Sequence, residues 1–170
     1  MTQLDRVRSE DRLAERVATF LGYEAGRLDE RDWHAWLALF APEARYWAPV
    51  WVDDYKMTSD PARQTSLIYA DRTELEARIF RIESEDSYAS IPLPQTSHLV
   101  TCTGVQRAGS IVKAKANWLV HYFWRTKGAF VRAGRYEYDL RENGNGFLIL
   151  LKKIFVHDDR IVGPIDIYNI

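Results

Sequence analysis

Four histidines, one cysteine and a few paired acids are the residues of this 170-residue chain best suited to chemistry. His34, His98, His121 and His157 stand far apart, with no HExxH and no paired-His helical spacing, so no metal site is written locally. A 2-His-1-carboxylate iron site would have to be assembled from distant residues. His157-Asp158-Asp159 follows a strand-like run and precedes Arg160, which reads as a solvated turn; Asp53-Asp54 reads as charged loop residues or as cation ligands. Cys102 is the only cysteine, which excludes an intrachain disulfide and any Cys-rich zinc or iron–sulfur site. Its setting, Leu99-Val-Thr-Cys-Thr-Gly, is that of a buried strand residue and not of a nucleophile.

GxSxG, the P-loop and GxGxxG are all absent, and Asn143-Gly-Asn-Gly joins two strand-like runs, as a hairpin turn does. General acid–base work in a pocket remains, where burial can shift the pKa of an Asp, His or Tyr. His121, between Val120 and Tyr122, is a base if its face is concave and a structural histidine otherwise. Asp29, Asp32 and Tyr46 are further candidates. Trp118, Tyr122 and Trp124 share a face that lines a ligand site, packs a core or meets another subunit.

Composition narrows the classes. Lys and Arg number 23 against 24 Asp and Glu, a net charge of -1, with none of the basic excess that phosphate neutralisation demands, so no nucleic-acid partner is expected. No run approaches the roughly 18 apolar residues of a membrane span, and the charged N-terminus has no apolar signal core, so no membrane is expected and the cytoplasm is the expected compartment. With 46% hydrophobic residues over this length, one domain spanning 1–170 is expected.

The elements that must position these residues fall into two halves. Leu13, Val17, Phe20, Leu21, Glu24 and Leu28 recur near helical period, apolar except for Glu24, with Ser9 as the expected N-cap. A second helix is expected from Asp32 to Phe40, capped by Asp29 or Asp32 and stopped by Pro42. Ala44-Arg-Tyr-Trp-Ala is a short strand, Val52 to Gln64 is irregular, and a helix resumes from Asp71 with Leu75, Ile79 and Ile82 aligned. Glu83 to Ser97, with Pro92 and Pro94, is a long loop. Four strands follow: His98–Gln106, Ile111–Trp124, Phe130–Leu140 and Phe147–His157. Helices first and a meander afterwards describe an α+β fold, with N-terminal helices packed on a curved, mostly antiparallel sheet.

Several segments together carry a family likeness. Trp51-Val-Asp-Asp, Thr58-Ser-Asp-Pro, Gln64-Thr-Ser-Leu-Ile-Tyr, Thr96-Ser-His-Leu-Val and the terminal Asp166-Ile-Tyr-Asn-Ile resemble the small (β) subunits of aromatic ring-hydroxylating dioxygenases. Phe20-Leu-Gly-Tyr-Glu-Ala, Leu28-Asp-Glu-Arg-Asp-Trp and the helix from Asp71 extend the likeness over nearly the whole chain, towards the benzoate, toluate and anthranilate branch. The resemblance implies an NTF2-like cone and an assembly of three large and three small subunits, in which the small subunits associate as a trimer. It also implies that the Rieske iron–sulfur cluster and mononuclear iron lie in the large subunit, and that a separate reductase feeds the complex as it cis-dihydroxylates an arene. A single cysteine agrees, because a Rieske centre takes two. The chain is then expected to carry no catalytic residue, cofactor or metal of its own. The competing expectation is a free-standing dehydratase or isomerase on the same fold. Trp51, Asp53 and Asp54 are the expected inter-subunit docking residues, as an anchor and two acceptors for arginines, with Arg72 and Arg78 bracing them.

Overall fold

The computed structural model describes residues 3–84 and 91–170. The chain runs α1 (Gln3–Asp29), α2 (Trp33–Leu37), β1 (Phe40–Pro49), β2 (Ser66–Asp71), α3 (Arg72–Glu83), β3 (Gln95–Ala108), β4 (Ile111–Trp124), β5 (Gly128–Asn143) and β6 (Gly146–Val156). One six-stranded sheet has the order β2-β1-β6-β5-β4-β3. All neighbours are antiparallel except β1 and β6, which are parallel. The helices cover one face: α1 lies along β3, and α3 packs on β1 and β2.

The helical stripe works as its spacing dictates. Leu13, Val17, Phe20, Leu21, Glu24 and Leu28 are all buried against the sheet. Ser9 is not the cap, since α1 runs through it from Gln3. Asp32 caps α2 by accepting from the Ala35 amide at 3.3 Å. α2 stops at Leu37, and Pro42 does not end it: Pro42 sits inside β1, where the register with β6 slips between Phe40 and Arg45 and a missing N–H is tolerated. β2 was not expected as a strand. Asp71 both ends it and opens α3 in a capping box, with Asp71 accepting from the Glu74 amide at 3.0 Å and Glu74 from the Asp71 amide at 2.8 Å. The expected loop Glu83 to Ser97 falls partly on residues 85–90, outside the described residues, and gives way to β3 at Gln95.

Strict alternation on β4 sends Val112, Ala114, Ala116, Trp118, Val120, Tyr122 and Trp124 inward. Trp118 lies over Gly134, its partner on β5, and a Cβ there would stand 1.8 Å from the Phe155 carbonyl oxygen and 2.9 Å from the indole. Only glycine permits that approach. After β6 the chain forms no further strand, yet Ile167, Tyr168, Asn169 and Ile170 are buried, so the tail closes the core.

At the centre is an ion pair. Lys152 Nζ on β6 meets Glu24 Oε1 on α1 at 2.7 Å, and both side chains are 1% exposed. Trp36 Nε1 donates to the same oxygen at 2.7 Å, and the Tyr138 hydroxyl donates to Glu24 Oε2 at 3.2 Å. The Tyr136 ring lies 4.3 Å from Nζ. Burial pulls the Lys152 pKa down, while the Glu24 carboxylate opposes that shift. Lys152→Met leaves a buried carboxylate without its cation and should destabilise the fold by about 3–5 kcal/mol. Glu24→Gln combined with Lys152→Met, which keeps an acceptor for Trp36 and lets the Tyr138 hydroxyl accept from the new amide N–H, should recover most of that loss in urea unfolding.

Candidate functional site

Two regions collect the residues singled out by sequence, one inside the cone and one at its end. Inside, Asp29 at the C-terminal end of α1 accepts three hydrogen bonds from the start of β3. They come from Thr96 Oγ1 at 2.8 Å, the His98 amide at 2.8 Å and His98 Nδ1 at 2.6 Å. Burial pushes the Asp29 carboxyl up, but the His98 ring, its charge, its amide and the Thr96 hydroxyl together outweigh burial and hold it below its ordinary value. By sequence His98 is one of four scattered histidines and the start of a strand, and Thr96 stands out only in the family likeness. Their pairing with Asp29, 69 and 67 residues away, has no local signal.

A carboxylate holding one imidazole nitrogen is the arrangement of an oriented base. The His98 side chain, however, is 1% exposed, and a base must come within about 3 Å of the proton it removes. In this conformation the dyad ties α1 to the edge strand β3. His98 Nε2, Tyr46 Oη, Tyr136 Oη and Trp118 Nε1 are buried without a hydrogen-bond partner among the described residues. Burial raises Tyr46, Tyr136 and Tyr138 well above the ordinary phenol range, with Glu24 adding to each shift.

The other candidates disperse. His121 is on the outer face of β4, so it does not enter the cone. Asp32 is a helix cap. Cys102 is a strand residue but only half-buried, because β3 is an edge strand with no fully buried position. His157 and Asp159 are exposed beyond β6, with Asp158 half-buried between them. Among the described residues no three of His, Cys, Asp and Glu are grouped to hold a metal ion.

At the end of the cone, Trp51 and Met57 form an isolated bridge, and the Val52 amide donates to the Lys56 carbonyl at 2.8 Å. Trp51 is half-buried, its indole N–H donating to the Val156 carbonyl at 3.0 Å. The turn between projects outward. Asp53 accepts from the Tyr55 amide at 2.9 Å, Asp54 is exposed, and Tyr55 is 93% exposed. Arg78 pairs with Asp166 at 3.2 Å, fastening α3 to the C-terminal tail; neither Arg78 nor Arg72 pairs with Asp53 or Asp54.

Among the described residues no second layer covers the outer sheet face. Leu99 pairs across strands with Leu119, and Leu119 with Ala133; Phe123 and Val131 extend this exposed apolar strip over β3, β4 and β5.

Helices on one side of a curved, open sheet define an NTF2-like α+β cone. Residues 23–162 match the ring hydroxylating beta subunit family, and the chain belongs to that family. It is 37% identical over 159 residues to the β subunit of toluate 1,2-dioxygenase from Pseudomonas putida, covering 92% of this chain and 97% of that one. The small subunit of 2-halobenzoate 1,2-dioxygenase from Burkholderia cepacia is 36% identical over 165 residues, covering 91% and 94%. Among solved structures, the β subunit of benzoate 1,2-dioxygenase from Burkholderia mallei superposes with a TM-score of 0.70 at 32% identity, covering 91% of this chain and 95% of that one. Naphthalene 1,2-dioxygenase, at 15% identity and a TM-score of 0.69, shares the fold over 95% of this chain and 91% of its own.

The Asp29 clamp carries a pH signature. A carboxyl whose folded pKa is depressed stabilises the fold above its unfolded pKa, near 4, and that contribution is lost as pH falls through the lower folded value. Urea unfolding of the protein and of Asp29→Asn should therefore show a stability gap that is full at pH 6 and narrows progressively below pH 4. A gap independent of pH would show that the carboxylate charge contributes nothing.

Proposed function

We propose that this chain is the non-catalytic, structural small subunit of a Rieske non-haem iron dioxygenase that cis-dihydroxylates a benzoate-like aromatic in aromatic catabolism. The observation that carries this reading is the cysteine count set beside the family: a Rieske centre needs two cysteines and the chain has only Cys102. A single cysteine does not fit the Rieske centre, and no group among the described residues fits the mononuclear iron, so both are assigned to a large oxygenase subunit. Three large and three small subunits assemble in the cytoplasm, with the small subunits as a trimer, and a reductase acts on the complex. The bare outer face with Leu99, Leu119, Phe123 and Val131 supports burial against other subunits.

Trp51, Asp53 and Asp54 act at a subunit contact in this reading. Trp51 holds the turn against Val156, and the two carboxylates point away from the subunit's own core. The aromatic carboxylates named for the relatives make the substrate class benzoate-like.

Purification with and without the large oxygenase chain tests the proposal. The small chain alone should bind no iron, show no Rieske absorption and oxidise no arene, while the co-expressed pair should co-purify, bind iron, show Rieske absorption and oxidise an arene once the reductase supplies electrons. A stoichiometric iron–sulfur spectrum from the isolated chain would overturn it. Trp51→Ala and Asp53→Ala/Asp54→Ala should weaken assembly, with the aspartate pair leaving the thermal melt of the small chain unchanged.

A further inference from the structure

Charge is spread unevenly over a chain whose net charge is only -1. Arg8, Arg12 and Arg16 recur every four residues and so share one face of α1. Like charges at that spacing repel along a helix. Arg107 near the end of β3 stands opposite. Glu142 takes two of the four guanidiniums, Arg16 and Arg107, each at 2.8 Å. Arg8 and Arg12 have no ion-pair partner among the described residues. Two adjoining clefts, of about 660 and 430 Å³, open between α1 and the β3–β4 turn and share Ser9, Leu13 and Arg107. Leu13 and Val105 give this groove an apolar strip.

The other end of the molecule carries the complement. The projecting turn presents Asp53 and Asp54 without a cationic partner, beside exposed Val52 and Tyr55. Asp158 and Asp159 line the small cleft at its base, and Lys56 and Arg160 are the nearby cations in sequence. β6 separates the two ends: it begins next to the hairpin after Glu142 and finishes at Val156, whose carbonyl holds Trp51. Eleven strand residues span about 35 Å. The turn and the groove of one copy therefore do not meet.

We propose that the Val52–Tyr55 turn of one copy docks in the arginine groove of the next. Asp53 and Asp54 pair with Arg8 and Arg12, since carboxylate–guanidinium bonds are the strong, oriented ones, and Val52 and Tyr55 cover Leu13 and Val105. Unlike patches meet head to tail, so a single contact is heterologous and closes as a ring at a threefold rotation; a two-fold dimer would instead need each turn to reach the other copy's groove at once. The inference deepens the proposed function by naming the contact behind the small-subunit trimer, and it rests on that reading.

Sedimentation of the small chain at micromolar concentration tests it, with circular dichroism melts confirming that each variant is folded. The wild type should be a trimer, and Asp53→Arg/Asp54→Arg and Arg8→Asp/Arg12→Asp should each weaken self-association at least tenfold. Mixed together, the two variants should associate again as alternating copies, because native turn meets native groove and reversed turn meets reversed groove, while any ring of three keeps one like-charged contact. Carrying all four changes in one chain should restore the trimer. Variants that stay trimeric would overturn the contact while leaving the trimer standing. A monomeric or dimeric wild type would overturn both this contact and the trimer. Loss of co-purification with the large subunit, with the trimer intact, would assign the turn to the large chain and overturn the proposal.

Discussion

A buried carboxylate and a buried ammonium sit where α1 crosses the sheet, and the rest of the cone is arranged to tolerate them. Glu24 accepts from Lys152, Trp36 and Tyr138, so one side chain links α1, α2, β5 and β6. Removing both charges from water costs several kcal/mol per ion, and the attraction between them offsets this only when the remaining valences are filled. The tyrosine rings around Nζ and the indole donor on the carboxylate do that filling. An apolar pair of the same volume would hold the layers together equally well. The ionic pair adds orientation: it fixes which turn of α1 lies over which residue of β6.

The family places redox chemistry in another chain, and this chain is organised accordingly. Several of its polar groups tie elements together. Asp29 fastens β3 to α1, Asp71 caps α3, and Arg78 holds the tail through Asp166. The apolar strip on the sheet and the acidic turn face outward. A subunit that carries geometry instead of a reacting centre is expected to divide its residues in this way.

Patterns of short range were legible in the sequence. The period of the α1 stripe, the alternation along β4 and the Asn-Gly hairpin each fix a local conformation, and the structure follows them. Pro42 misled because a proline ends a helix but is also tolerated at a strand irregularity, and only the slipped register with β6 distinguishes the two. β2 was missed because its six residues lead directly into the Asp71 cap and its partner lies on β1. Glu24 was visible as a flaw in an apolar stripe, but nothing near it indicated Lys152. His98 was passed over for His121 because strand parity alone does not say which face is concave. In each miss the deciding partner lay more than 15 residues away in sequence.

The parallel pairing of β1 with β6 has a consequence in time. β1 ends at Pro49 and β6 begins at Gly146, so this seam of the sheet joins segments separated by most of the chain. Contacts of such separation close large loops before they repay the entropy, and proteins rich in them fold slowly. On the ribosome, β1 and β2 must wait as a two-stranded ribbon while the β3–β6 meander is made, with an edge open to other chains. β6, the last of the six strands in chain order, joins the two halves, so the β1 edge stays open to mispairing until β6 is made.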